Sequence, residues 1–160
     1  MAELKASAQA VQDALARLGV ACRVVELPAS TRSAAQAAEA IGCTVHQIAK
    51  SIVFRGATTG EAVLVVASGP NRIDEVAVAE IVGEPLAKAD AAFVREATGF
   101  AIGGVPPCGH PRPVRTVLDR DLFELDEIWA AAGTPNAVFR LTPDDLARLT
   151  GGRAASVAQR

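Results

Sequence analysis

The alternation of apolar and polar residues along the chain marks out helices and strands in turn. Residues 6–18 place Ala10, Val11, Ala14, Leu15 and Leu18 on one helical face, and Gly19 follows as a stop. Cys22–Leu27 is a short β-rich run closed by Pro28. Ser33 and Gln36 have capping-box spacing and open an Ala-rich helix that Gly42 ends. Thr44 and Gln47 repeat that spacing and start a single turn leading to Lys50. SIVFR (51–55) and AVLVVAS (62–68) read as strands joined through TTG (58–60) in a hairpin.

Further along, the pattern predicts a helix over Asn71–Val82, extended chain over Pro85–Ala89, and a short helix capped by Asp90 that ends near Gly99. Phe100–Ile102 reads as a strand entering GGVPPCGHPRP (103–113), a segment too rich in Gly and Pro for anything but an ordered loop. Strands follow at Arg115–Asp119, Glu127–Ala130 and Ala137–Leu141. Thr142-Pro143-Asp144-Asp145 then opens a helix reaching about Leu149. Most connections are too brief for helical crossovers. The expected class is therefore α+β: a mixed, mostly antiparallel sheet or partial barrel flanked by helices, formed as one domain over residues 1–160.

Composition narrows the function. Half of the 160 residues are hydrophobic, enough for a continuous core, but Tyr is absent and Phe and Trp total six, which argues against a broad aromatic platform for single-stranded RNA. The formal net charge of −2 argues against non-specific coating of long nucleic acid, including duplex DNA, because phosphate neutralisation needs a basic excess. A local basic patch would still suit one end of a nucleic acid. Cys22, Cys43 and Cys108 are odd in number and widely spaced, so they read as reduced thiols, with no metal site expected. No signal-peptide layout or long apolar run is present, which leads us to expect a cytoplasmic protein without membrane contact.

With only two histidines, His46 and His110, and no G-x-S-x-G, H-E-x-x-H or P-loop pattern, nucleotide hydrolysis and zinc proteolysis are poorly supported. Two features stand out. Gly103 and Gly104 follow an apolar run and precede Pro106 and Pro107, a layout that lets backbone N–H groups approach a ligand and stabilise a developing oxyanion. A tight turn packed on a helix fits the same residues. Lys50 sits among apolar neighbours where a turn becomes a strand, so its ammonium is either aimed into a cleft or snorkelling to solvent. His110, Arg112 and Arg115 form a candidate cationic rim for phosphate, or ordinary solvated charges.

Together QIAKSIVF (47–54), TGFAIGGVPPCGH (98–110) and AAGTPNAVFRLTPDDL (131–146), in this order and spacing, resemble the YbaK family. These are free-standing trans-editing proteins related to the editing insertion domain of bacterial prolyl-tRNA synthetases. The resemblance spans nearly the whole chain, from VVELPASTRSAAQAAEAIG (24–42) onward. It implies a deacylase with no cofactor that hydrolyses the ester of mischarged tRNA, often tRNA for proline carrying alanine, cysteine or serine. The expected partners are the tRNA acceptor end and, beyond it, prolyl-tRNA synthetase.

The resemblance places catalytic roles on Lys50, Gly103 and Gly104, and substrate contacts on Thr31, Val105, Pro107, His110, Ala131, Ala132 and Gly133. Cysteine-specific members carry Ser-Gly-Gly where this chain has Ala131-Ala132-Gly133, so a serine-assisted route does not transfer. The competing readings are a non-catalytic module of the same fold that binds tRNA or a synthetase and, more weakly, a nucleic-acid-binding regulator.

Overall fold

β3 (Ala62–Ser68) organises the molecule, a computed structural model that describes residues 4–160. Its Val63–Ala67 stretch is fully buried, and successive side chains enter two different cores. Leu64 and Val66 join the larger core with α1 (Ala6–Arg17), α4 (Ala91–Thr98) and α5 (Pro143–Thr150). Val63, Val65 and Ala67 join the smaller one with α3 (Glu75–Val82). A strand covered on both faces needs an unbroken apolar run, and AVLVVAS supplies it.

The strands form one mixed sheet. β1 (Val24–Glu26) is followed in sheet order by β7 (Ala137–Leu141), β6 (Ile128–Ala131), β2 (Ile48–Gly56), β3, β5 (Arg115–Asp119) and β8 (Arg153–Ala155), while β4 (Leu86–Lys88) pairs with β2. The β1–β7, β6–β7, β2–β3 and β2–β4 pairs are antiparallel; β2–β6, β3–β5 and β5–β8 are parallel. This matches the α+β class with a mostly antiparallel sheet. None of the described helices is long and apolar enough to cross a membrane.

Helix starts follow the local chemistry. Ser33 caps α2 (Ala34–Ile41) through a 3.1 Å bond from the Gln36 amide, and Gly42 closes it at φ +87°. Thr142 caps α5 with Pro143 in its first turn. β3, β5 and β7 span 62–68, 115–119 and 137–141 as expected, and Asp90 and Gly99 bound α4, whereas other boundaries shift. SIVFR is part of a longer strand that begins at Ile48 and already contains Lys50. The helix expected from Asn71 begins at Glu75, because the Asp74 side chain caps it and Ile73 bridges to Ala158. Phe100–Ile102 is not a strand: Phe100 is buried in the core, and Ala101–Gly104 is a turn. Glu127–Ala130, Cys22–Leu27 and Pro85–Ala89 each shift or shrink to β6, β1 and β4. β8 was not foreseen.

The β2–β3 hairpin is clamped from outside by Glu84. Its carboxylate accepts from the amides of Thr58 and Thr59, each at 2.9 Å, from the Thr59 hydroxyl at 2.9 Å, and from Arg115 at 2.8 Å. A Cβ on Gly56 would occupy the space this carboxylate fills. The Thr59 amide foremost, with Arg115, the Thr59 hydroxyl and the Thr58 amide, holds the carboxyl at about 2, well below its ordinary value of 4.5.

A carboxylate depressed in the folded state stabilises the fold above its unfolded value, and that contribution is lost as pH falls through its folded value. Urea denaturation is therefore expected to find Glu84→Gln less stable than the parent near neutral pH. The gap should narrow between about pH 4.5 and about pH 2.

Candidate functional site

The cleft begins as a gap in the sheet. One edge of β2 is paired with β3 from Ala49 to Arg55. On its other edge, β6 pairs only with Ile48 and Ala49, and β4 only with Phe54 to Gly56. Residues 50–53 therefore have no strand neighbour on that side. The opening there has a volume of about 360 Å³, with Lys50, Ser51, Gly103, Arg32, Trp129 and Ala131 among its lining residues.

Lys50 lines this cleft, one of the two placements its sequence setting left open. Its ammonium donates to the Gly69 carbonyl at 2.9 Å, which leaves two N–H donors unassigned. Burial pushes its pKa down, Asp119 opposes that shift, and Arg72 adds to it. Arg32, on the approach to α2, supplies a second cation. Among the described residues, no Asp, Glu, His or Cys lines the cleft. It is a positively charged recess in a chain whose net charge is −2, and so favours an anionic ligand.

The two glycines have different roles. The Gly104 amide donates to the Ala101 carbonyl at 3.0 Å, and Gly103 between them has φ +96°. A positive φ at the third position defines a type II turn, which favours glycine there. Gly103 lines the cleft, its amide has no acceptor among the described residues, and a Cβ on it would sit 3.4 Å from the Arg32 Cγ. Gly104 instead packs backbone against backbone. A Cβ on it would lie 2.9 Å from the Gly133 carbonyl and the Thr134 nitrogen, and its own carbonyl accepts from the Gly133 amide at 2.8 Å. The expected pair of free donors is therefore one free donor and one structural bond.

The remaining predicted residues divide between the cleft and other surroundings. Thr31, Val105 and Ala131 line the cleft with Lys50 and Gly103. The Thr31 hydroxyl donates to the Pro135 carbonyl at 2.6 Å, tying the α2 approach to the loop after β6. Ala132 is fully buried in the larger core, and Gly133 packs against the Ser7 carbonyl. Pro107 and His110 line a separate recess with Arg17 and Arg112. The His110 ring donates to the Pro106 carbonyl at 2.9 Å, and burial lowers its pKa. Arg115 is engaged with Glu84 and Glu61. The supposed rim of His110, Arg112 and Arg115 is thus not at the cleft. Cys108 is buried, and burial pushes its thiol up to about 11, which makes it a poor nucleophile.

Sequence reasoning missed Arg32, Ser51 and Trp129. The Ser51 hydroxyl and the Trp129 indole N–H are both buried, with no hydrogen-bond partner among the described residues. Ser51 also lines a smaller chamber of about 200 Å³ behind the Gly103 turn, whose other walls include Val53, Ala89, Val94 and Ile102. A polar residue inside QIAKSIVF was the available signal for Ser51. Nothing local distinguished Arg32.

The profile of the aminoacyl-tRNA editing domain matches residues 28–149. An uncharacterized protein of Bacillus subtilis, YwhH, is 34% identical over 127 residues, 79% of this chain and 80% of YwhH. A crystal structure described as a candidate trans-editing enzyme for prolyl tRNA synthetase is 50% identical, with a TM-score of 0.93 over 99% of this chain and 100% of that one. A second crystal structure, of a protein described as hypothetical, is 29% identical, with a TM-score of 0.86 over 94% of this chain and 99% of that one.

The contrast between the glycines gives an expected outcome for stability. Gly104→Ala forces backbone apart and should cost about 1–3 kcal/mol in urea denaturation, the usual range for overpacking. Leu-sized changes at exposed Val76 should cost far less, because that side chain is 71% exposed.

Proposed function

From its membership of the aminoacyl-tRNA editing-domain family, to which this chain belongs, we propose that the protein hydrolyses the ester linking a small, wrongly attached amino acid to tRNA. We further propose that tRNA for proline is the carrier and that alanine, cysteine or serine is the residue removed in trans. The likeness to the trans-editing neighbour supports that assignment.

The observation that carries the reading is the composition of the cleft: two cations, one unpaired turn amide and no side chain able to act as a carboxylate, imidazole or thiolate catalyst. An aminoacyl ester is already activated, so the protein need supply only position and charge stabilisation. Water, helped by the vicinal hydroxyl of the terminal ribose, attacks the carbonyl carbon. The Gly103 amide faces the oxygen that gains charge. Collapse of the tetrahedral intermediate breaks the bond to the ribose oxygen, which leaves protonated, and the free amino acid departs.

In this reading Lys50 and Arg32 bind the terminal nucleotide, and the Trp129 ring offers its base an apolar wall. The chamber of about 200 Å³ takes the amino-acid side chain. Its aliphatic walls admit a small residue and exclude a bulkier one by clash, since a methylene's difference in binding gives only about 10–200-fold discrimination.

The deciding assay charges tRNA for proline with alanine, cysteine, serine or proline and follows ester loss with the parent and with Lys50→Ala. The expected result is hydrolysis of at least one small residue, sparing of proline, and a loss of about 10²–10³ in the variant. No hydrolysis of any of the four would leave a tRNA- or synthetase-binding module. Ser51→Ala is expected to slow removal of serine more than of alanine by about two- to tenfold, the worth of one hydrogen bond.

A further inference from the structure

β5 ends in Asp119, a fully buried carboxylate without a contacting cation. Burying such a charge is costly unless hydrogen bonds compensate it. One oxygen accepts from the Asp121 amide at 3.0 Å. The other accepts from the Ser68 amide at 3.1 Å and the Asn71 side-chain amide at 2.7 Å. Ser68 and Asn71 are the two ends of a turn closed by a 2.9 Å bond from the Asn71 amide to the Ser68 carbonyl. Inside that turn lies Gly69, whose carbonyl takes the Lys50 ammonium.

Gly69 packs directly against the Val45 carbonyl, so closely that a Cβ there would collide with it. The Ser68 hydroxyl is also bonded at 2.7 Å to the His46 carbonyl, just ahead of β2. The carboxylate thus grips both ends of the one turn that anchors the cleft lysine. A helix cap alone would need only the bond to Asp121.

We propose that Asp119 is the positioning residue for Lys50, acting through the Ser68–Asn71 turn and through its own negative charge. It is not among the residues lining the cleft, and its role in turnover rests on the function proposed above. The charged groups acting on the ammonium are Asp119 at the end of β5 and Arg72 beside the turn, with Arg32 across the cleft. Asp119 is the one that favours the protonated amine; burial and Arg72 oppose it. Removing its charge therefore lowers the Lys50 pKa further.

The chain's lysines are Lys5, Lys50 and Lys88, so their side-chain amines are few enough to follow individually by NMR, with Lys50→Arg as the assignment control. In Asp119→Asn the Lys50 amine is expected to lose its proton at lower pH than in the parent, while Lys5 and Lys88 are unmoved. Deacylation should fall about tenfold to a hundredfold, as for a misplaced group. The alkaline limb of its pH profile should move the same way.

An unchanged Lys50 titration in a folded Asp119→Asn protein overturns the proposal and leaves Asp119 a structural cap. Should that variant not fold, Asn71→Ala decides, with Asp121→Asn as its control, since Asn71→Ala keeps the Asp119 charge and removes the side-chain bonds from the turn to Asp119 and to Asp121. Faster exchange of the Lys50 amine protons with water supports the proposal, and exchange identical to the parent's refutes it. Both NMR readings use the free protein. A parent that hydrolyses none of the esters would overturn the functional reading while these arms still test the link from Asp119 to Lys50.

Discussion

β2 is shared between two strands that never meet. β6 leaves it after Ala49 and β4 arrives at Phe54, and the intervening backbone is held in extended form by β3 alone. A buried strand edge ordinarily finds a partner, because unpaired backbone groups away from water are costly. Here the edge opens onto a cleft, and the turn at Gly103 stands opposite it where another strand would have been. Lys50 owes its position to this interruption: it is the first residue of β2 past its pairing with β6. The chamber behind the turn, the placement of Ser51 and the approach of Arg32 all follow from the same missing pairing.

Such an arrangement demands rigidity from its surroundings, since strand edges that lack partners tend to close. The structure supplies it from both sides of β2. Outside, Glu84 and Arg115 fasten the β2–β3 hairpin, and β3 itself is locked between two cores. Beneath the cleft, Asp119 organises the turn that carries Gly69. Opposite, Gly104 and Gly133 dock the two loops backbone to backbone, at a separation only glycine permits. Among the described residues, Lys50 and Arg32 are the charged side chains that line the recess.

What could be read from the sequence was what is encoded locally. Thr142, Pro143 and Asp145 announce α5, and Ser33 with Gln36 announces α2, because caps are short-range hydrogen bonds. The continuous apolar run at β3 was equally clear. Phe100–Ile102 misled because an apolar trio serves a turn as readily as a strand when one member, Phe100, plugs the core. β8 escaped notice because Arg153–Ala155 is a short edge strand with no pattern of its own. The site divides in the same way. Lys50 and Gly103 were conspicuous as a charge and a glycine pair in apolar settings. His110 seemed to belong with them by proximity in sequence, yet its ring turns back to Pro106. Arg32, Ser51 and Trp129 converge only because of a gap in strand pairing, which is a property of the sheet and of no single segment.

The β1–β7 ladder joins residues 24–26 to residues 137–139, near opposite ends of the chain. Closing so long a loop comes late in folding, since its entropy is lost before the contact offsets it. During synthesis the hairpin of β2 and β3 can form soon after it emerges, whereas β1 must wait for β7 with its edge unpaired. A ribosome paused before β7 would therefore hold a chain whose centre can assemble while its margin stays open to pairing with other strands. From the translation of residue 26 until that of residue 139, the β1 edge therefore lacks the strand that covers it in the folded protein.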